Sequence, residues 1–165
     1  MKKIYLSLTI FVTMFIVGCS VVTTTNFEKI SNSNYTAANK LIEKSGLKKD
    51  DMVIITTIAN LNDLDESSDL GRALSEQISN VFVNHGIKVK ELKFSNSVFI
   101  KRKNGEFILS RDVKKLAKDI NVNYIVVGTY SIINHNVYVN LKIIDPNCDV
   151  IKASVDYIVP VYRTF

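Results

Sequence analysis

The 165-residue chain contains 21 basic and 16 acidic side chains, which give a formal net charge of +5. The basic residues are interspersed with acidic ones, so the composition gives little support to a nucleic-acid-binding protein. The two cysteines, Cys19 and Cys148, form no CxxC motif, which excludes a dithiol redox centre, and two cysteines are too few for a disulfide framework.

The amino terminus has the parts of an export signal. Two lysines precede an apolar run from Ile4 to Val17, which is shorter than the about 20 residues that a membrane-spanning helix needs. The run leads into IVGC, which resembles the lipobox of bacterial lipoproteins; in an ordinary secretory signal Cys19 would be incidental. The lipobox resemblance implies removal of residues 1–18 and attachment of a diacylglycerol to Cys19. The residue after the cysteine is Ser20, and in a lipoprotein this implies that the protein is located at the periplasmic face of the outer membrane.

The segment of residues 19–34 is rich in serine, threonine and asparagine and offers little to bury. We predict that it is a flexible tether and that residues 35–165 form one domain, a size at which a single hydrophobic core suffices. No later apolar run is long enough to span a membrane. The mature protein is therefore predicted to be anchored to the membrane through lipid alone.

Three amphipathic helices are predicted in this domain. The first covers Asn34–Lys44, and the second covers Asp69–His85 with Ser67 or Ser68 as its N-cap. The third begins after the N-cap Ser110. Their apolar positions are, in order, Tyr35, Ala38, Leu41 and Ile42; Leu70, Leu74, Ile78, Val81 and Phe82; and Val113, Leu116, Ala117 and Ile120.

Strands are predicted between and after the helices. The apolar runs Met52–Ala59 and Asn123–Tyr130 are typical of central strands, with Ile87–Leu92 as a short further strand. A hairpin is predicted around Asn104–Gly105. Alternation predicts two last strands, whose buried faces hold Val137, Val139, Leu141 and Ile143, then Ile151, Ala153, Val155, Tyr157 and Val159. We predict an α/β (α+β) fold, a mixed sheet of about five to six strands with three helices, ending in an antiparallel β-meander.

Motifs for catalysis or metal binding are absent from the sequence. GxSxG, HExxH and GxxxxGK[ST] do not occur, and His85 and His135 fall at a predicted helix end and in a predicted turn. The carboxylates within residues 63–69 lack the EF-hand pattern, so a solvated loop is favoured over a Ca²⁺ site. For Cys148, a turn position is favoured over an intermolecular disulfide. We therefore predict a non-enzymatic protein with no cofactor and no metal.

Three stretches resemble one protein family. They are NLNDLDESSDLGRALSEQI at 60–78, GEFILSRDVKKLAKDINVNYIVVGTYS at 105–131 and VYVNLKIIDPNCDVIKAS at 137–154. These stretches are similar to the FlgO family of flagellar outer-membrane lipoproteins. The resemblance implies a non-enzymatic envelope protein needed for flagellum assembly, outer-membrane anchoring or motility. Its implied partners are flagellar ring proteins or accessory lipoproteins, with no nucleic acid, and a homo-oligomer stays open.

Two arginines in the family-like stretches are candidate partner contacts. Arg72 and Arg111 lie near predicted helix starts, where the helix dipole disfavours a positive charge. An ion pair with Asp69 or Asp112 explains such an arginine as a folding residue, and this interpretation is favoured over a docking surface.

A second class of function stays open. Small α/β domains on lipid tethers also resemble activators of peptidoglycan synthases and lipoproteins of curli-like secretion. The predicted tether is short and contains no proline, which disfavours an activator that must cross the peptidoglycan. A secretion pore would need an added amphipathic hairpin, for which only Ser97–Leu109 is available.

Overall fold

The computed structural model describes residues 26–64, 68–90, 100–103, 106–109, 117, 119 and 121–160. Two helices are described, α1 (Asn26–Ser45) and α2 (Asp69–Asn84). The described strands are β1 (Met52–Ile55), β2 (Ala59–Asn60), β3 (Lys88–Lys90), β4 (Ile100–Lys103), β5 (Glu106–Leu109), β6 (Tyr124–Ile133), β7 (Asn136–Asp145) and β8 (Val150–Pro160). Neither described helix has both the length and the apolar character that a bilayer crossing requires.

A six-stranded mixed sheet forms the centre of the fold. Its strand order is β3-β1-β6-β7-β8, with β2 paired to β6. β1 runs parallel to β3 and β6, whereas β6, β7 and β8 form an antiparallel meander. β4 and β5 form a separate antiparallel ribbon. The predicted mixed sheet and terminal meander are therefore confirmed. The two strands of the predicted hairpin are also paired as expected, whereas its turn residues Asn104 and Gly105 lie outside the described residues.

The second helix follows its prediction closely. α2 begins after the N-cap Ser68, whose Oγ accepts a hydrogen bond from Gly71 N at 3.0 Å. The helix packs on one face of the sheet, and its buried apolar residues are Leu74, Ile78, Val81 and Phe82. Leu70 is partly buried against the same core. The helical period of the sequence thus identified the buried side of α2 correctly.

The first helix is longer than predicted. α1 begins at Asn26, so residues 26–34, which we predicted to be tether, are helical. Tyr35 is 38% exposed, and our placement of this residue on the buried side was wrong. The fully buried Asn34 lies on that side instead, and the buried apolar residues of α1 are Ala37, Ala38, Leu41 and Ile42. Asparagine and serine have weak helix propensity, so packing against the rest of the domain stabilises this helix start.

The opposite face of the sheet carries a second, smaller core. Ile54, Ile125 and Val127 pack there with Ala117, which is fully buried. Ala117 and Asp119 are helical. The rest of the third predicted helix, after Ser110, lies outside the described residues, so the described part of the chain contains two full helices rather than three.

The run predicted as one strand at Met52–Ala59 is divided into β1 and β2. Thr56 ends the first pairing, since its backbone N and its Oγ1 both donate to Val126 O, at 3.0 and 3.2 Å. The chain resumes pairing with β6 at Ala59, opposite Thr129. The apolar composition of the run is the same on both sides of the break, so its periodicity did not indicate the division.

A β-bulge changes the face of one predicted core residue. Ile143 pairs with Ala153 but Ile144 pairs with Ile151, so Lys152 is an extra residue in β8. The extra residue reverses the alternation, and Ile151 is 50% exposed instead of facing the core. The predicted core residues Ala153, Val155 and Val159, beyond the bulge, are buried.

Candidate partner-binding surface

Of the residues predicted from sequence to have a functional role, only Arg72 lies within the described part of the chain. Cys19 and Arg111 lie outside the described residues. Arg72 is in the first turn of α2, where its guanidinium forms an ion pair with Asp69, and both side chains are exposed. This is the ion pair that the folding interpretation required. Its exposed position also leaves Arg72 accessible to a partner.

The family-like stretch at the start of α2 contacts the central sheet. Tyr130 OH donates to Ser68 Oγ at 2.7 Å, which joins the SSDLGR and VGTYS sequences. A Cβ on Gly71 would lie 2.1 Å from the Ile58 carbonyl oxygen, a separation that non-bonded atoms do not allow. Glycine is therefore required for α2 to lie this close to the segment between β1 and β2.

Gly128 in β6 has a similar role. A Cβ there would lie 2.7 Å from the side chains of Ile58 and Leu141 and 2.8 Å from Asn140 O. The most distinctive described residues of the family-like stretches therefore serve the folding of the core. They do not by themselves form a surface for a partner.

A buried polar network joins α1, α2 and β8. Asn34 Nδ2 donates to Leu74 O at 2.9 Å and to Gln77 Oε1 at 3.0 Å, and Asn34 Oδ1 accepts from Tyr157 OH at 2.8 Å. Gln77 Nε2 donates to Ser31 Oγ at 2.8 Å. Because both the nitrogen and the oxygen of the Asn34 amide are hydrogen-bonded, these bonds offset the cost of removing the amide from water. The network fixes α1 in position above β8.

Tyr157→Phe should lower the free energy of unfolding by about 1–3 kcal/mol at neutral pH, because the buried Asn34 Oδ1 loses its donor. Burial raises the pKa of the Tyr157 phenol in the folded state. The contribution of this pKa shift to the free energy of unfolding is fully present below about pH 10, the pKa of tyrosine in the unfolded chain. It is lost as the pH rises above that value. Chemical denaturation between neutral and strongly alkaline pH measures this effect. The free energy of unfolding should fall less steeply with rising pH in the variant than in the wild type.

Tyr138→Phe is the matched control, because the Tyr138 ring is 37% exposed on the other face of the sheet. Its unfolding free energy at neutral pH should stay within about 0.5 kcal/mol of the wild-type value. Equal losses in the two variants would contradict the role given to the Tyr157 hydroxyl.

An open groove of about 410 Å³ lies between α1 and β8. Its α1 wall includes Asn32, Thr36, Lys40 and Lys44, and its other wall is residues 154–157 of β8. Both lysines are exposed, and neither forms an ion pair with any residue that the structure describes. Within the described part of the chain, the groove thus has two lysines without an ion pair on its α1 wall, and Asp156 is the acidic residue of its β8 wall.

The two histidines and the free cysteine lie at a helix end or in turns. His85 is the C-cap of α2, and its Nε2 lies 2.7 Å from Asn39 Oδ1. His135 has a φ of 61° in the turn between β6 and β7. Cys148 is an exposed free thiol in the turn before β8. In the described ranges, no group of three or more His, Cys, Asp or Glu side chains is placed to hold a metal ion.

Comparison with protein families matches residues 35–164 to the family described as FlgO protein. The chain belongs to the FlgO family. The match includes both glycine-containing contacts at Gly71 and Gly128 and the two candidate arginines, Arg72 and Arg111. A search of curated protein sequences finds no match to this FlgO-family chain.

Solved structures share the fold of this FlgO-family chain. The LpoB C-terminal domain from Salmonella enterica is 11% identical, with a TM-score of 0.58 over 78% of this chain and 97% of that domain. The LpoB C-terminal domain from Escherichia coli is 12% identical, with a TM-score of 0.54 over 76% of this chain and 97% of that domain. At such low identity, these similarities establish a common fold alone.

Sequence reasoning missed the groove and the Asn34 network of this FlgO-family chain. The groove combines residues of α1 with residues of β8, more than a hundred positions later, and no local pattern connects the two. One signal was available for the network, since Asn34 precedes the apolar positions Ala38 and Leu41 at helical spacing. That spacing would have placed the asparagine on the buried side of the helix.

Proposed function

We propose that the protein is a non-enzymatic, lipid-anchored component of the outer membrane in the flagellar basal-body region. Its role would be flagellum assembly, outer-membrane anchoring of the flagellum or motility. The observation that supports this proposal is the FlgO family match over residues 35–164. The lipobox-like IVGC sequence before residue 20 supports a lipid anchor at Cys19.

A protein of this kind acts by binding partners close to the membrane. The helix start at Asn26 is seven peptide units from Cys19, so it can lie at most ~25 Å from the lipidated residue. The domain is therefore restricted to a thin layer beneath the outer membrane. The partners we propose are flagellar ring proteins or accessory lipoproteins, with Arg72 and Arg111 as candidate contacts.

Deletion of the gene should reduce swimming and the number of flagella anchored at the outer membrane, while growth rate and β-lactam resistance stay unchanged. A domain that only docks at the flagellum has no direct effect on cell-wall synthesis. Its loss should therefore change motility without changing β-lactam resistance. Swimming assays and electron microscopy of the deletion strain, beside a strain complemented in trans, measure the effect.

The alternative functions give different outcomes in the same strains. A deletion strain that swims normally but becomes sensitive to β-lactams would favour an activator of a peptidoglycan synthase. Normal swimming with loss of surface amyloid fibres would favour curli-like secretion. Either result would overturn the flagellar proposal.

A further inference from the structure

Among the described strands, the sheet ends in a long strand, β8, whose outer edge has no paired neighbour. β8 pairs with β7 on one side, and no described strand pairs with its other side. The bulge at Lys152 and the missing N–H of Pro160 limit the regular part of this edge to Ala153–Val159. Unpaired edges of this length offer a ready template for another strand.

The turn between β6 and β7 determines which backbone groups of β8 face outward. Asn134 and His135 have φ of 46° and 61°, so Ile133 and Asn136 flank a two-residue turn of type I′ and form a hydrogen-bonded pair. Alternation along β7 then directs the backbone of its odd-numbered residues toward β8. The outward N–H and C=O groups of β8 therefore belong to the even-numbered residues Ser154, Asp156 and Ile158, which are all exposed.

The α1 groove lies directly beside this edge. Ser154 and Asp156, whose backbone groups face outward, also line the groove. Lys40 and Lys44 are one helical turn apart on its α1 wall, and neither has an ion-pair partner among the described residues. A strand added to β8 would place every second side chain beneath these two lysines.

We propose that the unpaired edge of β8 binds an extended acidic segment of a partner protein as an additional strand. Backbone hydrogen bonds to Ser154, Asp156 and Ile158 would hold the segment in register. Its acidic side chains would alternate along the strand and lie on the α1 side, against Lys40 and Lys44. Its other side chains would lie on the opposite face, where Asp156 and Ile158 are paired with Asn140 and Tyr138. The carboxylate of Asp156 disfavours further acidic side chains on that face.

Charge favours a partner segment over a second copy of this chain. Antiparallel pairing of two β8 edges would put both copies of α1 on the same side of one continuous sheet. Lys40 and Lys44 of both copies would then lie on the same side of the joined sheet, and like charges repel each other. An acidic segment instead neutralises the pair of lysines. The proposal concerns the groove alone and does not depend on the flagellar assignment.

A short fluorescent peptide, with glutamate alternating with threonine or valine, tests this site on the mature lipidated chain in non-ionic detergent. Fluorescence anisotropy should show binding of this peptide. A version with lysine in place of glutamate should bind at least about tenfold more weakly. A version with a methyl group on every backbone nitrogen should not bind, because neither of its edges can then donate hydrogen bonds to β8.

Lys40→Glu together with Lys44→Glu should weaken binding of the glutamate peptide about tenfold or more, since two attractions become two repulsions. The double variant should bind the lysine peptide better than the wild type does. Lys48→Glu together with Lys49→Glu is the matched control, because both residues are exposed, lie outside the groove and give the same change in net charge. The control should change affinity less than about twofold.

Ser154→Pro removes an outward N–H while leaving the hydrogen bonds between β7 and β8 in place, so it should abolish binding. If this variant fails to fold, the methylated peptide tests the edge by itself. Equal binding of the glutamate and lysine peptides, undiminished binding of the methylated peptide, or no binding of the glutamate peptide would each overturn the proposal. Sedimentation that reveals a dimer of the mature chain, broken by Ser154→Pro, would also overturn it and identify a second copy as the occupant.

Discussion

Ile78→Asp should abolish the cooperative thermal unfolding of the domain. Ile78 is fully buried in the centre of α2, against the face of the sheet that holds the main core. Removal of a buried isoleucine side chain costs about 2–5 kcal/mol, and burial of an unpaired carboxyl group adds about 1–3 kcal/mol. The sum is comparable with the whole stability of a typical domain, about 5–15 kcal/mol. Circular dichroism of the chain expressed from Ser20 onward measures the transition.

Asn80→Asp provides the control for this substitution. Asn80 is exposed on the same helix, so the variant introduces the same charge without burying it. Its melting temperature should stay close to the wild-type value. A cooperative transition in Ile78→Asp at the temperature of Asn80→Asp would mean that α2 buries a different side.

The spacing of apolar residues in the sequence identified the helix and strands in which buried positions recur at a regular interval. α2 presents apolar residues at helical spacing along its whole length, and the structure buries that side. The terminal meander was equally visible, because β7 alternates between buried and more exposed positions from Asn136 to Ile144. In both cases a single face of a single element meets one core, so the sequence period alone is sufficient.

The failures share a different physical cause. The start of α1 contains few apolar residues, and its position depends on hydrogen bonds that link Ser31 and Asn34 with residues of α2 and β8. The break between β1 and β2 depends on Val126 in another strand. The bulge at Lys152 depends on pairing with β7. Each feature is decided by contacts with another helix or strand, so the pattern within its own element did not reveal it.

The candidate sites also differ in whether neighbouring residues in the sequence are enough to identify them. The lipobox-like sequence at Cys19 is a contiguous motif, so neighbouring residues are enough to identify it. The groove of Lys40 and Lys44 exists only because α1 packs beside the edge of β8. Arg72 was found from its motif, but its ion pair with Asp69 gives it a role in the fold as well.

Cys19→Ser should remove the protein from the outer-membrane fraction and leave a larger, unprocessed precursor. Serine provides no sulfur for the thioether to diacylglycerol, and without that lipid the signal is not cut before residue 19. Each buried acyl methylene contributes about 0.8 kcal/mol, so loss of two or three acyl chains changes anchoring from effectively permanent to absent. Membrane fractionation and immunoblotting measure location and size together. Globomycin treatment of wild-type cells should produce the same larger species.

Cys148→Ser is the matched control, because it makes the same chemical change at the exposed free thiol of the β7–β8 turn. The Cys148 variant should have the wild-type size and remain in the outer membrane, since its sulfur lies far outside the lipobox-like sequence. Location that is unaffected by Cys19→Ser, together with a size that is unaffected by globomycin, would contradict the lipid anchor. The domain would then need another means of staying at the membrane, and its proposed confinement within ~25 Å of a lipidated residue would no longer apply.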